Sequence, residues 1–197
     1  MADRISPAVV LLGGPNGAGK STCASQLLNE ALHVSEFVNA DTIASGLSGF
    51  NPSGVSIEAG RLMLRRLQDL ASQNVSFAFE STLASRTFAP WIRTLKVQGY
   101  RFHLVFLWLR SPELARRRVA ARLRHGGHDV PADVVRRRYA RGLRNLFDLY
   151  MPLATHWRVY DNSARSGPVD VAHASPPGDI VVSDPRLWSR VQEGARR

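Results

Sequence analysis

The chain has 197 residues, about one domain on a scale of roughly 100–200 residues each, and long enough to bury a core without disulfides or a structural metal. Hydrophobic residues make up 44% and charged residues 21%, which excludes wholesale disorder, and the lone Cys23 excludes an intramolecular disulfide framework or a thiolate metal cluster. The net charge is +10, and only Lys20 and Lys96 are lysines, so the basic character is almost entirely arginine.

The N-terminal apolar run Val9–Leu12 is too short for a signal peptide and leads straight into glycines. No stretch approaches the roughly 18 apolar residues of a membrane helix. A soluble, cytoplasmic protein with no membrane partner is therefore expected. Residues 8–12 (AVVLL) read as a short buried strand, and 20–32 as a helix. Residues 36–40 (EFVNA) form a second strand candidate, followed by a polar loop through Gly54. A helix over 56–72 places Ile57, Leu64, Leu67 and Leu70 near one face. A strand is expected at 75–80 (VSFAFE) and a helix at 88–97. The continuous apolar run 102–109 (FHLVFLWL) suits a central parallel strand covered on both faces. Ser111, Pro112 and Glu113 signal a helix start. Two arginine-rich helices flank a loop, HGGHDVP, over 125–131, in which His125 and His128 read as ordinary surface histidines rather than metal ligands. Residues 157–160 offer a last main strand, 163–178 a Pro-, Gly- and Ser-rich loop, and 180–183 a small terminal strand before a short helix. Strands alternating with helices imply a three-layer α/β fold with a mostly parallel sheet.

The segment Gly14-Pro15-Asn16-Gly17-Ala18-Gly19-Lys20-Ser21 matches G-x-x-x-x-G-K-S/T in full and lies between a strand and a helix, where its mechanism requires. Glycines let the backbone curl so that N–H groups and a helix N-terminus face an anion. Lys20 is expected on the β- and γ-phosphates of ATP or GTP, the Ser21 hydroxyl on Mg²⁺, and Thr22 on the α-phosphate. Cys23, one turn into the helix, reads as small core filler.

Carboxylates fall at further strand ends, which line the ligand crevice of an open α/β sheet. Asp41 follows the second strand, where it either takes a proton from an acceptor hydroxyl, holds a magnesium-bound water, or caps the next helix. Glu80 ends the strand VSFAFE as a second carboxylate near the metal. Ser81 and Thr82 behind it either bind substrate hydroxyls or make a plain turn. Between Arg110 and Arg144, eleven arginines face three acids (Glu113, Asp129, Asp133). Arg118 and Arg122 share a helix face, with Ala115, Val119 and Leu123 on another. Arg137, Arg141 and Arg144 line one side of the next helix, with Val135, Tyr139, Leu143 and Leu146 opposite. Two such helices look like a lid, over about 111–148, whose guanidinium groups stabilise a transferring phosphoryl group and exclude water. A solvated, arginine-rich surface explains the same composition.

The ordered set GPNGAGKST, VNADTIA, AGRLMLRRL, SFAFESTLASR, FLWLRSPELARRRVAARLRHGGHDVP, RRRYARGLRNL and VYDNS resembles the small zeta-toxin-like P-loop kinases over about residues 5–163. The resemblance implies a nucleotide-kinase-like P-loop NTPase fold, one kinase-like domain over 1–197, and use of ATP (or GTP) with Mg²⁺. Family members phosphorylate a hydroxyl of UDP-N-acetylglucosamine. By motif, Asp41 is implied as the base and Glu80 as a neighbour of metal or acceptor. Thr82 is implied as an acceptor contact, and Arg61 as the arginine opening the third helix. Leu64 stands where the larger toxins carry a sugar-gripping acid, so the amino-sugar acceptor does not carry over. An antitoxin acting in trans is a further implied partner.

The leading expectation is a small-molecule kinase in which Lys20, Asp41, Arg118 and Arg122 act in catalysis. Two alternatives remain open at this point. One is an ATP-dependent nucleic-acid-binding module, motivated by the arginine cluster but lacking interleaved aromatics beyond Tyr139. The other is an ATPase without a small-molecule acceptor.

Overall fold

The computed structural model describes residues 6–30, 34–124, 130–176 and 178–196. Strand β1 (Ala8–Gly13) is followed by the phosphate loop and helix α1 (Lys20–Ala24), which continues in wider turns over Ser25–Glu30. Then come β2 (Glu36–Val38), α2 (Ala40–Leu47), α3 (Ser56–Ser72), β3 (Phe77–Ser81), α4 (Phe88–Val97) and β4 (Arg101–Trp108). The chain continues through α5 (Pro112–Arg124), α6 (Ala132–Asn145), β5 (His156–Asp161), β6 (Val169–Ala174), β7 (Ile180–Val182) and α7 (Pro185–Arg196).

The strands form one seven-stranded sheet in the order β2-β3-β1-β4-β5-β6-β7. The pairs from β2 to β5 are parallel, and β6 and β7 add antiparallel at one side. Side chains alternate across a strand, so β1, buried from Val9 onward, feeds two cores. Val9 and Leu11 pack with Phe77, Phe79 and Phe106 under α3, α4, α6 and α7. Val10 and Leu12 pack with Ala78, Val105 and Leu107 under α1 and α5. This is the three-layer α/β arrangement that the alternation of apolar runs implies. Among the described residues, no helix is long and apolar enough to cross a membrane.

Several expectations are corrected. The loop expected through Gly54 contains α2, because the Asn39 side chain accepts from the Asp41 and Thr42 backbone N–H groups and so caps a helix there. Residues 163–178 contain β6, which pairs with β5 across a register shift at Val159/Tyr160. On α3 the buried stripe is Ala59, Met63, Leu67 and Leu70. Ile57 (72% exposed) and Leu64 (41%) lie on its flank, because the 3.6-residue period carries the stripe past them. Leu123 is likewise exposed rather than packed with Ala115 and Val119. The first helix leaves α-helical geometry after Ala24, and its expected end at 31–32 lies outside the described residues. Most of the loop over 125–131, with His125 and His128, also lies outside them.

The parallel pairing has one consequence for function. It brings the C-terminal ends of β1, β2, β3, β4 and β5 to a single edge, so the segments starting at Gly14, Asn39, Thr82, Leu109 and Asn162 become neighbours, with Glu80 the penultimate residue of β3.

Candidate active site at the phosphate loop

The phosphate loop departs from β1 at a position whose backbone leaves no room for a side chain. Gly14 has φ +147°, and a Cβ there would stand 2.5 Å from the Leu107 carbonyl oxygen. The loop closes on itself through Ala18 N–H donating to Pro15 O at 3.1 Å. Gly19, with φ +83°, precedes the first helical residue. The N–H groups of Lys20, Ser21 and Thr22 open a helix and have no intrahelical acceptors. Lys20 is only 6% exposed, and its ammonium donates to Gly14 O at 2.9 Å and Pro15 O at 3.1 Å. Burial lowers its pKa, Glu80 and Asp41 oppose that shift, and Arg122 and Arg138 add to it. An arriving anion would meet a lysine already held inside the loop. Asn16 Oδ1 is buried without a partner at the mouth of the same loop, an orphaned polar atom consistent with a ligand-binding cradle.

Ser21 Oγ donates to Glu80 Oε2 at 2.8 Å and accepts from Asn39 Nδ2 at 3.1 Å. Glu80 Oε1 stands 3.9 Å from Lys20 Nζ. A hydroxyl and a carboxylate in contact form a hard-oxygen pair of the kind that holds Mg²⁺ alongside phosphate oxygens. Among the described residues no cluster of three or more His, Cys, Asp or Glu side chains is placed to hold a metal ion, and a phosphate-bridged Mg²⁺ needs none.

Two cavities meet here. The first, about 420 Å³, is lined by the phosphate loop together with Lys20, Ser21, Thr22, Asn39, Glu80, Arg118 and Arg122. The second, about 550 Å³, is lined by Ala44, Ser56, Ser85 and Val130 together with Arg137 and Arg141. Asn16, Ala40, Asp41, Thr82 and Arg138 line both. Asp41, half exposed, therefore stands at the junction, with Oδ2 3.9 Å from Arg122 Nη1. The loop that carries Thr82 is held firmly. Leu83 adopts φ +58°, unusual for leucine. Its carbonyl accepts from Asn145 Nδ2 at 2.7 Å, and Tyr150 Oη donates to Ser85 O at 2.7 Å. Such a conformation persists only when its surroundings over-determine it.

The structure thus brings together Gly14 through Thr22, Asp41, Glu80, Thr82, Arg118 and Arg122 at one edge of the sheet. It does not bring Arg61, which is exposed on α3 and outside both linings. Arg118 lines the first cavity, yet its guanidinium donates to the carbonyls of Asn162 at 2.7 Å and Ser163 at 2.9 Å, and to Ala164 O at 3.4 Å. Cys23 is half-buried with its pKa raised by burial against the opposing pull of Arg118, which suits a packing residue. Two residues escaped the sequence reading. Asn39 takes the capping role weighed for Asp41 and also reaches Ser21; its signal is an asparagine directly before the helix. Arg138 lines both cavities, and its signal is the three-residue spacing to Arg141.

The sequence over residues 9–147 matches the AAA domain family, which covers more than half of the chain. The chain belongs to that family. The matched part of this AAA domain runs from β1 through α6 and carries every lining residue of both cavities. An uncharacterised protein of Haemophilus influenzae is 32% identical over 126 residues, covering 64% of this chain and 88% of that protein. Among solved structures, the AvrRxo1-ORF1:AvrRxo1-ORF2 complex is similar in its forms with sulphate ions and with ATP. The TM-scores are 0.78 and 0.77, at 21% and 20% identity over 96% of this chain. This AAA domain spans 65% and 64% of the chains it matches there. The PezAT chromosomal toxin-antitoxin system of Streptococcus pneumoniae follows with a TM-score of 0.66 at 18% identity, over 97% of this chain and 85% of that one. At such identities the likeness is one of fold, a kinase-like P-loop fold.

Proposed function

We propose that this protein is a phosphotransferase that moves the γ-phosphate of ATP to a hydroxyl of a small molecule, within one catalytic domain whose arginine-rich cover is formed by α5 and α6. The observation that carries this reading is the junction of two cavities at Asp41. A simple ATPase needs the first cavity, whereas a kinase also needs room for an acceptor beside the γ-phosphate, and the second cavity supplies it.

In this reading the loop amides and Lys20 bind the polyphosphate, and Thr22 lies by the α-phosphate. Ser21 and Glu80 would hold Mg²⁺, which when bound would neutralise phosphate charge. Thr82 and Arg138 orient the acceptor. The acceptor oxygen forms a bond to the γ-phosphorus as the bond to the ADP oxygen breaks, and the hydroxyl proton passes to the Asp41 carboxylate. Arg122 adds positive charge beside the equatorial oxygens. Arg118 serves the site through the backbone it binds rather than by reaching phosphate. Arg61 has no role in this geometry.

The zeta-toxin-like assignment is supported by the likeness to AvrRxo1-ORF1:AvrRxo1-ORF2 and to PezAT, and the form of the first with ATP supports the nucleotide. An antitoxin in trans is the corresponding partner. The test is incubation with γ-labelled ATP and a metabolite extract, followed by mass identification of the labelled product. Label is expected on a small molecule, lost in Lys20→Ala. It is also expected to be lost in Asp41→Asn, which retains nucleotide binding. Release of inorganic phosphate alone, unchanged by any extract, would make the protein an ATPase. Normal transfer by Asp41→Asn would remove it as the base.

A further inference from the structure

The segment Asp161-Asn162-Ser163 at the end of β5 lies beyond the family match and outside both cavity linings, yet it is tied to the phosphate loop and to α5 at once. Asn162 is 7% exposed, and its Nδ2 donates to the carbonyl oxygen of Ala18 at 2.7 Å. That nitrogen would stand 2.8 Å from a Cβ on Gly19. The anchor behind it is stiff. Arg110 Nε and Nη2 each reach Asp161 Oδ2 at 2.9 Å, Asp161 Oδ1 accepts from Ser163 N at 2.9 Å, and Ser163 Oγ accepts from Arg110 N at 2.9 Å. Arg118 holds the carbonyls of Asn162 and Ser163 from α5, and α5 itself presses on the loop. A Cβ on Gly17 would lie 2.9 Å from Ala115 O and 3.0 Å from Arg118 Cβ.

We infer that Asn162 is a positioning residue that sets the direction of the Ala18–Gly19 peptide in the phosphate loop. A trans peptide is planar, and its C=O and N–H point in opposite directions. With the Ala18 oxygen drawn to Asn162, the Gly19 N–H must face away from Asn162, and Gly19 lines the nucleotide cavity. A peptide followed by glycine turns over at little steric cost. Without Asn162 the carbonyl is released, and a flipped peptide would present an oxygen, not a donor, to the phosphates. Arg118 supports this by fixing the backbone of Asn162.

The inference rests on the proposal that the loop binds a nucleotide, and the experiment separates the two. ADP is titrated calorimetrically into the full chain as wild type, Asn162→Ala and Asn162→Asp, with thermal melting of each. Asn162→Ala is expected to weaken ADP about tenfold, the effect of one lost hydrogen bond plus a misdirected donor. Asn162→Asp keeps the shape but sets a carboxylate against the Ala18 oxygen, so at about pH 8 it is expected to bind ADP at least as poorly. As pH falls to about 5.5 its buried carboxyl protonates and donates, and binding returns toward wild type, which Asn162→Ala cannot do. A residue that only supports the fold would lower the melting temperature without this acid rescue. Wild-type binding of ADP with both variants unaffected, or an aspartate variant showing no recovery relative to alanine, overturns the inference alone. A wild-type chain that does not bind ADP overturns the nucleotide reading with it.

Discussion

The Ser21 hydroxyl donates to the Glu80 carboxylate at 2.8 Å although 59 positions separate them in sequence. One sits at the start of α1 and the other at the end of β3, and they meet because β1 and β3 are parallel neighbours. Exchanging Glu80 for Gln preserves the hydrogen bond and removes the charge. The Mg²⁺ concentration for half-maximal phosphoryl transfer is expected to rise about tenfold, measured as initial rates across a Mg²⁺ series. An unshifted Mg²⁺ dependence would take Glu80 out of the metal site.

Gly142 of α6 is buried against the loop that carries Thr82, where a Cβ would overlap the Thr82 carbonyl oxygen. Gly142→Ala must push α6 and this loop apart. Destabilisation of about 1–3 kcal/mol is expected from the overlap, together with a raised KM for the acceptor and little change in ADP binding. Chemical denaturation and steady-state kinetics check both parts.

Arg118 spends its guanidinium on three backbone carbonyls. Lysine keeps the charge but cannot reproduce the planar fork. Arg118→Lys is expected to lower the melting temperature by about 3–6 °C, at roughly 2–4 °C per kcal/mol for a chain of this size. If the variant instead melts like wild type and loses only catalysis, the arginine acts on phosphate.

His103 and His156 are cross-strand partners whose rings stack at 4.6 Å and 9°. Burial, with the His156 and Arg101 charges, pushes His103 from 6.5 down to about 4, and burial with Arg101 lowers His156. The folded state therefore binds these protons more weakly than the unfolded chain. Stability is full above about pH 6.5 and falls as pH drops through the window to about pH 4. The loss carried by His103 is about 1–2 kcal/mol, reduced from the full linkage value because the ring is partly exposed. Urea midpoints across this range should show the slope, and His103→Phe should flatten it.

Much of the fold was legible from local signals. The bounds of α3 and α4 agree with their apolar periodicity and turn residues, and β4 announced itself as an unbroken apolar run. The cap of α5 was legible too, with Ser111 Oγ accepting from Leu114 N at 3.1 Å. What failed had weak local signals. α2 begins within a candidate strand, and its cap at Asn39 is visible only when the backbone donors of Asp41 and Thr42 are placed. β6 has Pro, Gly and Ser around it and exists because β5 offers an edge to pair with.

The amino-acid order alone determined the phosphate loop, because eight consecutive residues carry the glycines, lysine and hydroxyl that polyphosphate binding requires. It also placed Glu80 near the end of a strand, whereas Asp41, expected directly after β2, lies in the first turn of α2. Only the tertiary structure decided which side chains converge. Parallel pairing carried Asp41 and Glu80 to the loop, while the rotation of α3 left Arg61 outside and that of α6 admitted Arg138. It also gave Arg118 to the backbone of residues 162–164, since a guanidinium binds whichever acceptors the packing of α5 sets within its reach.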